Sequence, residues 1–315
     1  MTTAARHEPV MLAEAVEGLN VRPGGRYVDA TVGGGGHAAG ILEAATTGGR
    51  LLGIDRDPQA LAAARERLAR YGDAVVLAQG NYSQIAALCH SHDFVPVDGV
   101  LFDLGVSSLQ LDTPGRGFSF QRDEALDMRM DRASGPSAAE LVNSASEHEL
   151  ARLIREYGEE WRSRAIARAI VARRPLATTG DLVSAVEQAV GRDRGRRIHP
   201  ATLTFQALRI AVNQELSHLV VALPAACGLL AGAGARVVVI AFHSLEDRVV
   251  KEYFRRESTD CLCPPSAPVC VCGHRASLRL VTRRVRKPSE EERARNPRAR
   301  SARMRIAEAI ARQAA

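Results

Sequence analysis

Three aspartates and a run of glycines are the residues of this chain with the clearest chemistry. Tyr27-Val28-Asp29-Ala30-Thr31-Val32 is a strand pattern that enters Gly33-Gly34-Gly35-Gly36 and then a helix-forming stretch from His37. Leu51-Leu52-Gly53-Ile54-Asp55 reads as a second strand ending in a carboxylate, 20 residues after Gly35. Glycines let backbone approach a ligand closely, and an acid at that spacing accepts hydrogen bonds from a ribose. The register Gly33-x-Gly35-x-x-Ala38 also fits a dinucleotide fingerprint, and a glycine turn can exist with no ligand at all. Asp29 weighs against a pyrophosphate, because anion beside anion is unfavourable. S-adenosylmethionine has no phosphate and carries an ammonium and a sulfonium, so these residues favour it. Asp103 ends a further apolar run, Val100-Leu101-Phe102-Asp103. Asp29, Asp55 and Asp103 would then share the rim where parallel sheets bind ligands, although each could instead serve as a helix cap or turn residue.

Two other groups could do chemistry. Cys261-x-Cys263 and Cys270-x-Cys272, with His274 nearby, place four cysteines within twelve residues. Paired thiolates can hold tetrahedral zinc, but the usual knuckle spacing is two or more residues, so a structural zinc site and free or redox-sensitive thiols both stay open. His243 and Ser244 follow a buried strand pattern and could border the same rim, or simply pack and cap a helix.

The elements that must position these residues alternate. Strand patterns at 26–31, 50–55, 74–78 and 98–103 are separated by helical patterns near 37–46, 58–71 and 82–91. Asp57-Pro58 is a helix start, with Asp as N-cap and Pro at the first helical position. Such units predict a mostly parallel sheet with helices on both sides. The alternation stops at the turn-rich loop 112–117, and 136–215 reads as helix only, with Ser146-x-x-Glu149 as a capping box. A strand buried on both faces returns at Arg236-Val237-Val238-Val239-Ile240-Ala241-Phe242, followed by a cap at Ser244-x-x-Asp247. The expected organisation is therefore one α/β domain, 1–112 with 214–315, interrupted by a helical insertion at 113–213. The charged tail from 286 to 315 is expected to be partly loose.

An apolar fraction of 46% suffices for a core of this size. The N-terminus lacks the apolar segment of a secretory signal, and Leu219–Ala235 is broken by Pro224 and glycines, so a cytoplasmic protein with no membrane span is expected. A disulfide framework is not expected in that setting. The net charge of +6 is unevenly spread: from Arg275 to Arg305 there are 12 basic and 3 acidic residues, and from Leu150 to Arg209 there are 12 arginines and 6 acids. Arginine outnumbers lysine 40 to 2, a bias GC-rich coding would produce, but the bias does not explain the clustering. Two basic zones on an otherwise acidic chain point to a polyanion.

Asp-x-x-x-Gly-Gly-Gly, a second-strand Asp and a fourth-strand Asp together resemble the class I methyltransferase pattern. Exocyclic-amine methylases place an acceptor at the end of the fourth strand. Here that motif is Asp103-Leu104-Gly105-Val106, without the usual prolines or aromatic, so stacking on a base would have to come from elsewhere. The chain as a whole resembles the bacterial ribosomal small-subunit methyltransferase H (MraW) family. The likeness runs through His7-Glu8-Pro9-Val10-Met11-Leu12, the Asp29-to-His37 loop, Asp103 through Asp112 and Gly117-Phe118-Ser119-Phe120. It continues in Tyr157-Gly158-Glu159-Glu160, Thr204-Phe205-Gln206-Ala207-Leu208-Arg209, Phe242-His243-Ser244-Leu245-Glu246-Asp247-Arg248 and Asn296-Pro297-Arg298-Ala299-Arg300-Ser301. The resemblance implies a Rossmann-like α/β fold with an inserted helical, RNA-recognising domain. It implies S-adenosylmethionine-dependent methylation of the N4 amine of a cytidine in the decoding region of 16S ribosomal RNA, within the small ribosomal subunit; DNA is not expected as a partner. It further implies cofactor contacts from Gly35, Gly36, His37, Asp55, Tyr82, Asp103 and Gln110, with Asp103 also catalytic. Tyr82 stands where the family commonly has phenylalanine and keeps an aromatic plane for adenine. Two rivals use the same features: a nicotinamide oxidoreductase on the glycine loop, and a non-catalytic RNA-binding assembly factor built on the basic zones.

Overall fold

The computed structural model describes residues 9–191, 198–267 and 269–311. His7 and Glu8 of the N-terminal motif, and Arg192, Arg194, Arg196 and Arg197 of the second basic zone, lie outside the described residues. The chain forms two compact units, Met1–Gly105 with Leu216–Ala315, and Val106–Glu215.

The first unit is built on seven strands: β1 (Arg26–Asp29), β2 (Arg50–Asp55), β3 (Val75–Gln79), β4 (Gly99–Asp103), β5 (Arg236–Ala241), β6 (Leu278–Leu280) and β7 (Arg303–Ala309). Their order across the sheet is β3-β2-β1-β4-β5-β7-β6, parallel from β3 to β5, with β7 antiparallel to both β5 and β6. Strand order reverses between β1 and β4, the switch point at which open α/β sheets bind ligands beyond the strands' carboxyl ends. The fold is thus Rossmann-like, a mostly parallel sheet with helices on both faces.

Alternation along the strands divides the core in two. Val28, Leu52, Ile54, Val100, Phe102, Val237 and Val239 face one layer with the later helices Glu215–Gly228 and Ser244–Glu257. Tyr27, Leu51, Leu101, Val238 and Ile240 face the other, with α1 (Leu12–Leu19), α2 (Gly36–Ala45) and α3 (Pro58–Leu68). Asp57 caps α3 as its sequence predicts, its carboxylate accepting from the Gln59 amide.

The tail departs from expectation. Residues 303–309 are not loose but form β7, inside the sheet between β5 and β6. The strand is buried on both faces, Met304 and Ile306 in one core layer and Ala307 in the other, and Arg305 forks onto Asp247 at 2.6 and 3.1 Å. The cap expected at Ser244 sits one residue earlier. His243 is the N-cap, its Nδ1 accepting from the Glu246 amide, while Glu246 Oε2 accepts from the His243 amide. Asp247 is instead committed to Arg305.

In the second unit, Val106–Glu215, helices Ala138–Ser144, Glu147–Gly158, Ser163–Ala172, Thr179–Val190 and Thr202–Asn213 bury one shared core around Leu150, Ile154, Ile166 and Leu208. Ser146 caps the second of these by accepting from the Glu149 amide. The glycine-rich turn before them is held by Glu124, whose two carboxylate oxygens accept from the Gly115 and Gly117 amides at 2.7 and 2.8 Å.

Candidate active site

The three strand-end aspartates stand on the same edge of the sheet. Asp29 is level with Gly53 on one side and Leu101 on the other, so β2 and β4 each run two residues further, to Asp55 and Asp103. The chain leaving β1 therefore passes between two flanking carboxylates. It is tied there by the Val32 amide donating to Ile54 O at 2.9 Å and by Thr31 Oγ1 accepting from the Asp103 amide at 2.7 Å.

The glycines that follow have packing reasons of their own. Gly35 has φ +77°, and a Cβ there would lie 3.2 Å from Leu68. At Gly36 a Cβ would sit 2.4 Å from the Pro9 ring. Gly35 is the N-cap of α2 and offers no capping side chain, so the first amides of that helix point toward the rim without a side-chain acceptor.

His37 enters from the first turn of α2. Its Nε2 lies 3.0 Å from Val10 O, which fixes the ring, and its Nδ1 faces Asp103 Oδ2 at 3.4 Å. With Nε2–H given to the carbonyl, the neutral ring turns a lone pair toward Asp103. Burial lowers the pKa of His37, and burial with Glu246 nearby pushes Asp103 up to about 8. A single proton between them suits both groups near neutral pH. Asp103 Oδ1 is buried and has no hydrogen-bond partner among the described residues.

Asp29 is fully buried; Oδ1 accepts from the Thr31 amide at 3.2 Å and Oδ2 has no partner among the described residues. Burial pushes its pKa up to about 7, with Asp103 and Asp55 adding to the effect and His37 opposing it. Asp55 accepts from the Gly33 and Asp57 amides, both at 2.9 Å, yet burial still raises it to about 6. Three carboxyls that are each hard to ionise share one rim. The arrangement stores unfavourable negative potential that a cation would relieve.

Tyr82 starts a short helical turn after β3, its ring edge-on to Phe102 of β4 at 6.0 Å and to His218 at 6.4 Å. Asn81 Nδ2, 3.0 Å from His218 Nδ1, steadies that neighbourhood. The first unit therefore gathers Gly35, Gly36, His37, Asp55, Tyr82 and Asp103 at the carboxyl edge of its sheet. Gln110 belongs to the second unit, where it is buried and its Oε1 accepts from the Ser107 amide at 3.0 Å in a capping box. Sequence reasoning missed Thr31, Val10 and Glu246. Thr31 alone had a signal, as a polar residue in an otherwise apolar strand exit.

The residues present fit S-adenosylmethionine. Two buried carboxyl oxygens without a partner among the described residues, Asp29 Oδ2 and Asp103 Oδ1, would suit a cation once ionised, the bare start of α2 suits a carboxylate, and Asp55 at the end of β2 suits ribose hydroxyls.

Comparison with known proteins agrees. Residues 4–310 match the model of the MraW methylase family. The ribosomal RNA small subunit methyltransferase H of Dehalococcoides mccartyi is 56% identical over 304 residues, covering 96% of this chain and 86% of that one. The protein of the same name from Thermomicrobium roseum is 56% identical over 308 residues, covering 97% of this chain and 94% of that one. That from Geobacter sulfurreducens is 53% identical over 308 residues, covering 96% and 99%. Sharing so much sequence over nearly its whole length, the chain belongs to the MraW methylase family of S-adenosylmethionine-dependent methyltransferases.

Proposed function

We propose that this protein methylates the N4 amine of a cytidine in the decoding region of 16S ribosomal RNA. The observation that carries the reading is Asp103: a strand-end carboxylate at the sheet's switch point, with Oδ2 facing His37 and Oδ1 buried without a partner among the described residues. The relatives' names support the ribosomal RNA of the small subunit as substrate; the family resemblance, with an acceptor available at Asp103, supports an exocyclic amine as the reacting group.

Bound S-adenosylmethionine supplies an electrophilic methyl group on a sulfonium. Gly35 and Gly36 at the start of α2, Asp55 and Tyr82 are the residues that would hold it in the first unit, and Gln110 is assigned to it by family resemblance alone. A cytosine amine is a poor nucleophile because its lone pair is delocalised into the ring. Asp103 Oδ1 accepts a hydrogen from that amine, localises the lone pair, and takes the proton the amine sheds on methylation. Asp103 has to be ionised with the cofactor bound to do this; once the cofactor's positive charge is spent, burial and Glu246 would push its pKa up to about 8 again and favour keeping the proton at neutral pH. His37, pinned by Val10 O, orients Asp103 through the other oxygen and is a positioning residue.

The second unit is the RNA-recognition element of this reading. Its 16 arginines are nearly matched by 15 acidic residues overall, but the stretch Leu150–Arg209 has 12 arginines against 6 acids, and Trp161 is exposed there beside the Arg162 guanidinium, 4.6 Å from the ring centre. An exposed aromatic among arginines suits a splayed RNA base. Replacing Asp103 tests the mechanism. Asp103→Asn keeps an acceptor oxygen and Asp103→Ala removes it, so methyl transfer to purified small ribosomal subunits should fall in both and fall further in the alanine variant. Equal, near-native rates in both would remove Asp103 from the chemistry.

A further inference from the structure

The segment 258–277, between the helix Ser244–Glu257 and β6, contains no helix or strand among the described residues. It buries little. Val269 and Val271 are 70% and 86% exposed, and Leu262 is 45% exposed. A connection this long without secondary structure needs something to hold it, and a hydrophobic core does not do so.

Its cysteines converge. The sulfurs of Cys261, Cys263, Cys270 and Cys272 all lie within 4.8 Å of one another, and all four thiols are free. Cys261 and Cys270 are 3.4 Å apart, Cys270 and Cys272 3.7 Å, and Cys272 and Cys261 3.9 Å. Zinc–sulfur bonds of about 2.3 Å directed to the corners of a tetrahedron require sulfur–sulfur edges of about 3.8 Å. The three spacings among Cys261, Cys270 and Cys272 bracket that value, and the Cys263 sulfur lies within 4.8 Å of each. Spacing by one residue, unusual for a zinc knuckle, is explained by the arms being non-helical: residues i and i+2 then share a side, and the intervening Leu262 and Val271 turn out to solvent. The arms also exchange backbone donors. The Leu262 amide points at Cys272 Sγ at 3.3 Å and the Val271 amide at Cys263 Sγ at 3.4 Å. Such donors favour thiolate, the form a metal takes. His274 stands apart, its Nε2 lying 3.0 Å from Arg256 O.

From this geometry we infer that Cys261, Cys263, Cys270 and Cys272 form a tetrathiolate site for one structural zinc ion, which closes the segment between Cys261 and Cys272. Binding exchanges the thiol protons for the metal and releases them to solvent. All four coordination positions are protein sulfur, so no position is open for substrate and the role is structural. Four thiolates of this softness select zinc over magnesium or calcium.

The test uses the full chain, purified from zinc-supplemented medium and dialysed. Elemental analysis should find about one zinc per chain. Titrating the thiols with an organomercurial should release the zinc in step with the modification of four cysteines. Cobalt exchanged into the site should show thiolate-to-cobalt charge-transfer bands and the visible bands of a tetrahedral ion. Cys263→Ser with Cys272→Ser should cut zinc retention at least about tenfold. Because the segment lies outside the buried cores, the far-ultraviolet circular dichroism of that variant should stay native. Wild-type protein that retains no zinc and gives no such cobalt spectrum overturns the proposal even if the variant misfolds. Iron in the site, or two disulfides found by mass spectrometry of unreduced protein, overturns it as well. None of these readouts depends on methyl transfer, so failure here leaves the reading of Asp103 standing, and the reverse also holds.

Discussion

With the proposed cofactor site at the carboxyl trio, affinity should depend on pH in a direction set by burial. Asp55, Asp29 and Asp103 are pushed up to about 6, 7 and 8, so in the ligand-free protein the last is mostly protonated below pH 8. A sulfonium is stabilised by carboxylate and gains little from a neutral acid. Below pH 8, binding must therefore deprotonate Asp103 first, at a cost of about 1.4 kcal/mol for each pH unit. The dissociation constant for S-adenosylmethionine should fall as pH rises from 6 to 8, by about tenfold per unit at most, and level off above 8. That ceiling is not reached in full, because the Asp103 side chain keeps 25% of its surface in solvent. S-adenosylhomocysteine carries the same amino-acid group but no charge on sulfur, so its affinity should vary less over the same range. Calorimetric titration in two buffers of different ionisation enthalpy counts the protons released. More should be released with S-adenosylmethionine than with S-adenosylhomocysteine, and Asp103→Asn should reduce the difference. The same shift has a consequence for folding: a carboxyl protonated in the folded state contributes stability below its unfolded pKa and loses it as pH rises toward 8. Ligand-free wild type should therefore lose stability across that window more steeply than Asp103→Asn. Equal proton release with the two ligands, or a pH-independent affinity for S-adenosylmethionine, would refute the argument.

Other outcomes follow from packing and charge. Gly36→Ala forces a Cβ to 2.4 Å from the Pro9 ring and should destabilise the protein by about 1–3 kcal/mol while weakening cofactor binding, both readable from thermal shifts with and without ligand. Arg305→Ala strips the forked partner from buried Asp247, leaving Arg303 at 3.5 Å among the described residues, and should cost about 3 kcal/mol in urea unfolding; an unchanged midpoint would mean β7 is not held by that pair. Arg283, Arg284 and Arg286 are exposed, and Arg286 reaches exposed Glu17 at 3.2 Å. Replacing all three by alanine should flatten the salt dependence of RNA binding, by about 0.7 in log–log slope for each phosphate left unneutralised, with cofactor affinity unchanged. An unaltered slope would make the strip a solvated face.

Local pattern carried a good part of this molecule. An apolar run, a glycine turn and a terminal acid occur within a few residues, so Asp29, Asp55 and Asp103 could be placed on one rim before their neighbours were known. The cap at Asp57-Pro58 is equally local. Long-range pairings were not legible. β7 reads as a charged tail because Arg303 and Arg305 find their acid, Asp247, on a helix far earlier in the chain. The His37–Asp103 pair depends on β1 and β4 being neighbours, a fact of topology that neither segment announces. At the cysteines the one-residue spacing left zinc and free thiols both open; that the two arms bring the four sulfurs within 4.8 Å of one another is a fact of the fold. Gly35 and Gly36 were read as making room for a ligand, yet their hydrogens also face Leu68 and Pro9.

In the proposed reaction the reacting atom is an exocyclic amine presented to Asp103. The most direct measurement is transfer of an isotopically labelled methyl group from S-adenosylmethionine to small ribosomal subunits that lack the modification, followed by digestion and nucleoside analysis. Label is expected on the N4 amine of cytidine, at a single position in the decoding region, and is expected to be lost in the Asp103→Ala variant. Label on cytosine C5 or on a ribose 2′-oxygen would contradict the proposed reaction, even though the protein would still be a methyltransferase.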